Sequence, residues 1–406
     1  MSDPHRHRSG PLWPAYLASF TFMLGQWASG VAMPLLVVSL GGTLADAGII
    51  AAIRFGLGAL FSLPFGAVAD AWGTRRTLFL AVASNAAINL VPILGAASGS
   101  LMPLYLWAVL SGLAASLFLP ANGAYVAGTA SPQRRGSAFG WLTLATHTGV
   151  ASGPAIGGFL WEHTSPEVTF GASALLGATA LVAPLFVAAS IRTRVDLSGL
   201  PRLVAGVARD RAIVGSWLAA LGIGLPWGAV SGLFPLFAGS IGIAAGSAGL
   251  LLGLQSIANG LSRVPLGRVI DRRHVPPQVA AGTCLLYGAA TALLGLQTGP
   301  VGIAIIFVAG IVALAATLMM VQVTISARAP SHLVATGLGG YSTFLSAGLG
   351  IGPFIAGAAA EANGFGLGFA SVAGLGIAVA GLAAVLLRGA AGSGSTARHF
   401  EEPDPA

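Results

Sequence analysis

Long apolar stretches alternate with short polar breaks along the whole chain. Twelve of them approach or exceed the ~20 residues that cross a bilayer as a helix: 13–39, 46–70, 76–96, 101–128, 136–160, 168–190, 213–238, 246–269, 278–297, 301–326, 333–359 and 366–387. None shows the period-2 alternation of a barrel strand, so all are read as helices. One break is long, IRTRVDLSGLPRLVAGVARDRA at 191–212, and reads as a linker with part of its length as an amphipathic helix on the membrane face. Residues 1–12 form a polar basic tail. Residues 389–406 are rich in Gly, Ser and acid and are expected to be disordered.

Composition agrees with a lipid environment. Only 8% of the 406 residues are charged, against about 25% in soluble domains, and mean hydropathy is +0.85. The 59 glycines suit helices that must approach closely where apolar burial gives no drive. A net charge of +7 would point a soluble protein toward nucleic acid, but here the placement of the arginines accounts for it. Every basic residue is Arg, and all but Arg54 and Arg263 lie in one set of loops and ends, at Arg6 and Arg8, Arg75 and Arg76, Arg134 and Arg135, Arg192 to Arg211, Arg268 to Arg273, Arg328, Arg388 and Arg398. The loops between carry Asp46, Glu162, Glu167 and Glu361 instead, and Glu162 and Glu361, at equivalent outer helix ends, are expected to be solvated. By the positive-inside rule both termini are cytoplasmic, in a multi-pass protein of the plasma membrane. The single cysteine, Cys284, lies in an apolar run and reads as a core thiol. The first apolar run is too long for a cleavable leader.

The chain repeats itself at half length. GAVADAWGTRR, Gly66 to Arg76, ends the second span. PLGRVIDRR, Pro265 to Arg273, ends the eighth, with Gly267 and Asp271 standing 201 residues after Gly66 and Asp70. GVASGPAIGGFLWE in span five, Gly149 to Glu162, recurs as GLGIGPFIAGAAAE in span eleven, Gly348 to Glu361, 199 residues on. The expected fold is an all-α membrane protein of twelve transmembrane helices in two pseudo-symmetric six-helix halves, 13–190 and 213–388.

These residues resemble the major facilitator superfamily, over nearly the whole chain. Gly66, Asp70, Gly73, Arg75 and Arg76 fit its 2–3 loop signature G-x-x-x-D-x-x-G-x-R-R. Gly149, Gly153, Pro154, Gly157 and Gly158 fit G-x-x-x-G-P-x-x-G-G, the span-five signature of its exporters. The chain is similar to the branch with siderophore and macrolide exporters. The resemblance implies that Asp70 holds the halves together when the cytoplasmic side is closed, against the start of span eleven near Ser331 to Ala335. Asp271 with Arg272 and Arg273 would do the same against span five near Ser131 to Gly136, although this copy lacks a glycine at the place of Gly73. These arginines also set topology. One departure is an arginine that proton–drug antiporters of the family often carry in span four and that this chain lacks.

The glycines of span five share one face at i, i+4, i+8, and Pro154 favours a bend. Gly348, Gly352 and Pro353 repeat the pattern in span eleven. This is a bending seam between halves or static close packing. Ionisable groups inside spans are functional candidates by default. His147 stands near the midplane of span five, as a proton or cargo site or as a neutral histidine bonded to a neighbouring helix. Arg54 either snorkels outward or binds an anionic group, and Arg263 either snorkels toward the cytoplasm or binds. Gln26, Asn122, Gln255, Asn259 and Gln322 line a cavity or bond helix to helix. Aromatic residues, Trp27 and Trp227 among them, are candidates for an apolar cargo wall. No phosphate loop, metal cluster or nucleophile constellation occurs, so an enzyme, a cofactor and ATP hydrolysis are not expected.

The reading is a secondary transporter that works by alternating access and exports small amphipathic organic molecules such as a drug, antibiotic or siderophore. Its expected partners are that small molecule, membrane lipid and protons, with no nucleic acid, and it is expected to act as a monomer. Proton coupling does not carry over from the resemblance; His147 is the leading relay candidate. An importer of a nutrient or organic anion and a transporter-fold membrane sensor are the alternatives. Asp70→Asn is expected to cut transport severely and leave membrane insertion intact. Wild-type flux from that variant in vesicles would contradict the gate role.

Overall fold

The computed structural model describes residues 10–131, 134–187, 200–273, 275–330 and 333–392. Everything described is helix or short connection: α1 (Trp13–Ser39), α2 (Leu44–Trp72), α3 (Thr74–Ile88), α4 (Val91–Ser98), α5 (Met102–Thr129), α6 (Arg135–His163), α7 (Pro166–Ala178), α8 (Ala183–Phe186), α9 (Leu200–Val207), α10 (Arg211–Ser240), α11 (Ala245–Arg273), α12 (Val279–Leu294), α13 (Pro300–Arg328), α14 (Val334–Asn363) and α15 (Phe365–Gly392).

Two expected spans are broken, each before a proline. Pro92 has no N–H to give the carbonyl of Ile88, and the chain leaves the α3 path there to restart as α4. Pro184 does the same to Ala180, and a 3-10 turn at Thr179–Val182 joins α7 to α8. Prolines deep in α1, α5, α6, α10, α11 and α14 leave those helices continuous, because neighbouring helices accommodate the freed carbonyls. Among the described residues eight helical segments are long and apolar enough to cross a membrane. The other four expected spans fall on α2, α6 and α11, each of 29 residues, and on the shorter apolar α12. Large apolar side chains such as Leu106, Leu175, Leu286, Ile305 and Val385 are exposed on the outer faces, which suits lipid and not water.

Within the first group of helices α1 packs on α6 and α7, and α5 on α2 and α3. Phe22 and Phe118 stack at 3.9 Å between ring centres in that core. In the second, α10 packs on α14 and α15, and α12 on α13 and α15. Two long seams join the groups, α2 with α14 and α6 with α11. α9, on the expected linker, rests against α14, with Val207 buried. The tail 1–9, the segment 188–199 and the tail 393–406 lie outside the described residues.

The glycine pattern explains the close approach. A methyl on Gly153 would stand 2.8 Å from the carbonyl oxygen of Leu24, and on Gly149 or Gly157 it would run into the carbonyls of Phe20 or Ala28. All three acceptors are on α1. In α14, a methyl on Gly348 would stand 2.5 Å from Leu221 O, and one on Gly352 would run into Leu225 O, both on α10. The stripe therefore seals each group internally and is not the seam between groups that one reading of the spacing predicts. The reason is angular: residues one position further on lie about 100° around the helix. Gly158 and the carbonyl of Pro154 face α11, and the carbonyl of Pro353 faces Gly48 of α2.

Candidate functional site

The two ends of the molecule differ. The acidic end carries Asp46, Glu162, Glu167 and Glu361; the arginine-rich end carries Arg75, Arg76, Arg134, Arg272 and Arg328. At the acidic end both seams are closed backbone to backbone. A methyl on Gly357 would stand 2.5 Å from Leu44 O, and one on Gly158 would run into Ala245 O. Among the described residues toward the arginine-rich end, a methyl on Gly140 of α6, Gly260 of α11 or Gly339 of α14 would meet nothing within 4 Å. A cavity of about 770 Å³ runs there along α13 and α14, past Gln322, Ser326, Tyr341 and Ser342.

Two carboxylates tie the closed end. Glu361, at the end of α14, accepts a hydrogen bond from the backbone N–H of Leu44 at 2.7 Å. Glu162, at the end of α6, accepts one from Gly246 N–H at 2.9 Å. Leu44 and Gly246 lie in the first turns of α2 and α11, where N–H groups have no helical acceptor and the macrodipole is positive. The start of α2 is held further: Thr43 N–H and Oγ1 donate to Asp46 at 2.9 and 2.8 Å, and Tyr105 donates its hydroxyl to Asp46 at 2.5 Å. Sequence reading placed Glu162 and Glu361 as solvated helix ends. Both are exposed, yet each bridges the two groups. The 199-residue repeat that ends on both glutamates was the available signal; Tyr105 had none.

Between the ends lies a narrow polar centre. A void of about 30 Å³ is bounded by Trp27, His147, Trp227, Ser231, Gln255 and Asn259, contributed by α1, α6, α10 and α11. His147, Gln255 and Asn259 are thus brought together as cavity neighbours. Arg263 donates through Nε to Asn259 Oδ1 at 3.3 Å, one turn closer to the middle, and does not run to the arginine-rich end. A helical side chain leans toward its own N-terminus, which here is the centre. Arg263 is close enough to His147 and Tyr341 to act on them electrostatically, and Gln322 donates to the Tyr341 hydroxyl at 3.2 Å. A polar path thus leads from the centre to the wide cavity.

Arg54 forms a second centre. Its Nη2 donates to the backbone oxygen of Gln26 at 3.1 Å and to Gln26 Oε1 at 3.2 Å. The guanidinium carbon lies 5.1, 5.4 and 6.0 Å from the ring centres of Trp107, Phe55 and Trp27. It turns inward to α1 and does not snorkel to the acidic end. Asn122 belongs to neither centre: it is buried and donates to Ala15 O at 3.0 Å and Ser19 Oγ at 2.8 Å, joining α5 to α1.

At the expected gate, Gly73 links α2 to α3 with φ of 87°, a left-handed conformation that explains a glycine there. Arg75, Arg76 and Arg272 are exposed. The side chains of Asp70, Asp271 and Arg273, and residues 331–332, lie outside the described residues, and so does the expected pairing.

The helices define a multi-pass membrane protein, and comparison with known proteins places it. The sequence pattern of the Major Facilitator Superfamily matches residues 15–339 and, in a second match, 216–404. The chain belongs to that family, a family of transporters and not of enzymes. It is 28% identical over 209 residues to the tetracenomycin C resistance and export protein of Streptomyces glaucescens, covering 47% of this chain and 37% of that protein. It is 32% identical over 139 residues to the class B tetracycline resistance protein of Escherichia coli, covering 34% and 33%. The chain thus spans little more than a third of the length of these relatives. Among solved structures, a bacterial homolog to the human lysosomal transporter Spinster, inward-facing and occupied, superposes with a TM-score of 0.75 at 15% identity over 96% of this chain and 98% of that one. The peptide transporter POT in complex with sulfate gives 0.74 at 14% identity over 93% and 94%. At such identities the likeness is one of fold.

Asn122→Ala removes two interhelical bonds, each worth roughly 0.6 kcal/mol in a membrane. The variant is expected to melt a few degrees lower in detergent and to keep wild-type cargo preference. A changed cargo preference at unchanged melting temperature would move Asn122 to the cavity wall.

Proposed function

We propose that the chain is a twelve-span secondary transporter that exports small amphipathic organic molecules by alternating access. Its two six-helix halves, 13–190 and 213–388, rock about the polar centre, with both termini cytoplasmic and the molecule in the plasma membrane. The arginine-rich end is then cytoplasmic, and the state described here is inward-facing. The observation that carries this reading is the contrast between ends among the described residues: sealed seams with a glutamate on each at one end, and a wide cavity along α13 and α14 at the other. Export is supported by the relatives, one an export protein and one a resistance protein.

The cycle follows from the contacts. Cargo enters past Tyr341 and Gln322 and reaches Trp27, Trp227, His147 and Asn259. Opening to the outside requires α2 to leave α14 and α11 to leave α6, which breaks the bonds of Glu361 and Glu162. Asp70 and Asp271 then hold the cytoplasmic end closed. With no nucleotide site in the sequence, an ion gradient or the cargo's own gradient drives the step. His147, beside Arg263 and Asn259, is the proton site of this reading.

The test is accumulation of a panel of drugs and metabolites in cells with and without the protein, repeated with a protonophore. Lower accumulation that the protonophore abolishes is expected, and His147→Ala should remove the pH dependence of efflux. Higher accumulation in expressing cells would indicate import. Efflux by His147→Ala with an unchanged pH profile would exclude this histidine as the relay.

A further inference from the structure

We infer that Arg54 is a binding site for the anionic group of an aromatic organic molecule, a carboxylate or similar oxyanion. The inference deepens the transport reading, on which it rests, by naming the class of cargo.

A guanidinium stays charged at physiological pH, and a charge inside the membrane needs a counter-charge or an aqueous path. This chain supplies Arg54 with no carboxylate among the described residues. Of its 12 acids, Asp46, Glu162, Glu167 and Glu361 stand at the acidic end, and Asp70, Asp210 and Asp271 at the ends of helices on the other side. The remainder fall in 1–9, 188–199 and 393–406, outside the described residues. Along α2, Asp46 and Asp70 are eight and sixteen residues from Arg54, hence ~12 and ~24 Å along the axis. Asp46 is occupied by Thr43 and Tyr105.

The acceptors Arg54 does have are neutral, and both are served by Nη2. A guanidinium offers five N–H donors in a planar fork. Nη1 and Nε find no acceptor among the described residues. Nη1 packs against Gly30, where a methyl would stand 2.9 Å from it. Arg54 and Gly30 border a void of about 20 Å³, with Ser231 and Gly232 of α10 also on its wall. Ser231 also borders the void at His147, so the two centres adjoin. The faces of Trp27, Phe55 and Trp107 surround the charge and suit an aromatic body attached to the anion. A void this small holds about one water. The anion therefore docks when α2 separates from α10, and Gln26 occupies Nη2 until then. The fold itself does not require the charge, because the repeat places neutral Gln255 at the equivalent position of α11.

The test compares three probes of one skeleton, naphthalene-2-carboxylate, naphthalene-2-carboxamide and 2-naphthylmethylammonium, by calorimetry on the full chain in phosphatidylcholine nanodiscs. The carboxylate is expected to bind at least tenfold more tightly than the other two, about 1.4 kcal/mol. Arg54→Gln should abolish the difference between carboxylate and amide, and Arg54→Lys should keep part of it. No preference for the carboxylate in the wild type, which needs no variant to fold, overturns the proposal; so does the same preference in a monodisperse Arg54→Gln protein. Carboxylate binding lost on adding phosphatidylglycerol would mean that Arg54 reads a lipid headgroup, which also overturns it. Uptake of the probes into proteoliposomes separates the two readings. Transport without charge preference sinks the anion site alone, and charge-selective binding without transport of any probe sinks the transport reading alone.

Discussion

Everything in this fold depends on helices touching backbone to backbone. In lipid an apolar side chain gains nothing by leaving its solvent for another helix, so association rests on van der Waals contact and polar bonds. The glycines on α6 and α14 let α1 and α10 come within contact of their main chains. The adjoining positions, Pro154, Gly158 and Pro353, do the same across the two seams. One face holds each group of helices together, and the next joins the two groups along the α2–α14 and α6–α11 seams.

The carboxylates add a small, directional term. An acid at an exposed helix N-terminus is worth roughly 0.3–1 kcal/mol, a factor of about two to five in an equilibrium. Glu162 and Glu361 therefore bias the closed end without locking it. Backbone packing supplies the larger share.

Much of this was legible in the sequence. Helix positions follow from hydropathy, because a bilayer imposes one length on every span. The breaks at Pro92 and Pro184 were missed since hydropathy does not register a lost hydrogen bond. The neighbour of the glycine stripe was also misread: spacing shows that Gly149, Gly153 and Gly157 share a face, but which helix that face meets is a tertiary fact. The polar residues divided in the same way. Type and depth marked Arg54, His147, Asn122 and Asn259 alike, yet Asn122 serves only the α1–α5 contact, whereas Asn259 lines the centre. Glu162 and Glu361 are exposed as expected of solvated helix ends, and the bond each accepts from the other group is a tertiary fact that sequence position does not carry.

The central claim is that the seams at the acidic end close and open against the other end, with Glu162 and Glu361 holding the closed form. The most direct measurement is double electron–electron resonance in nanodiscs on a Cys284→Ala background. One pair of spin labels stands at Thr164 and Gln297 across the acidic end, another at Arg134 and Pro276 across the arginine-rich end. The account predicts a short distance for the first pair and a long one for the second in the unliganded protein. In Glu162→Gln/Glu361→Gln a second population should appear in which both distances reverse. Distances that do not move in opposite senses, or a double variant indistinguishable from wild type, would contradict it.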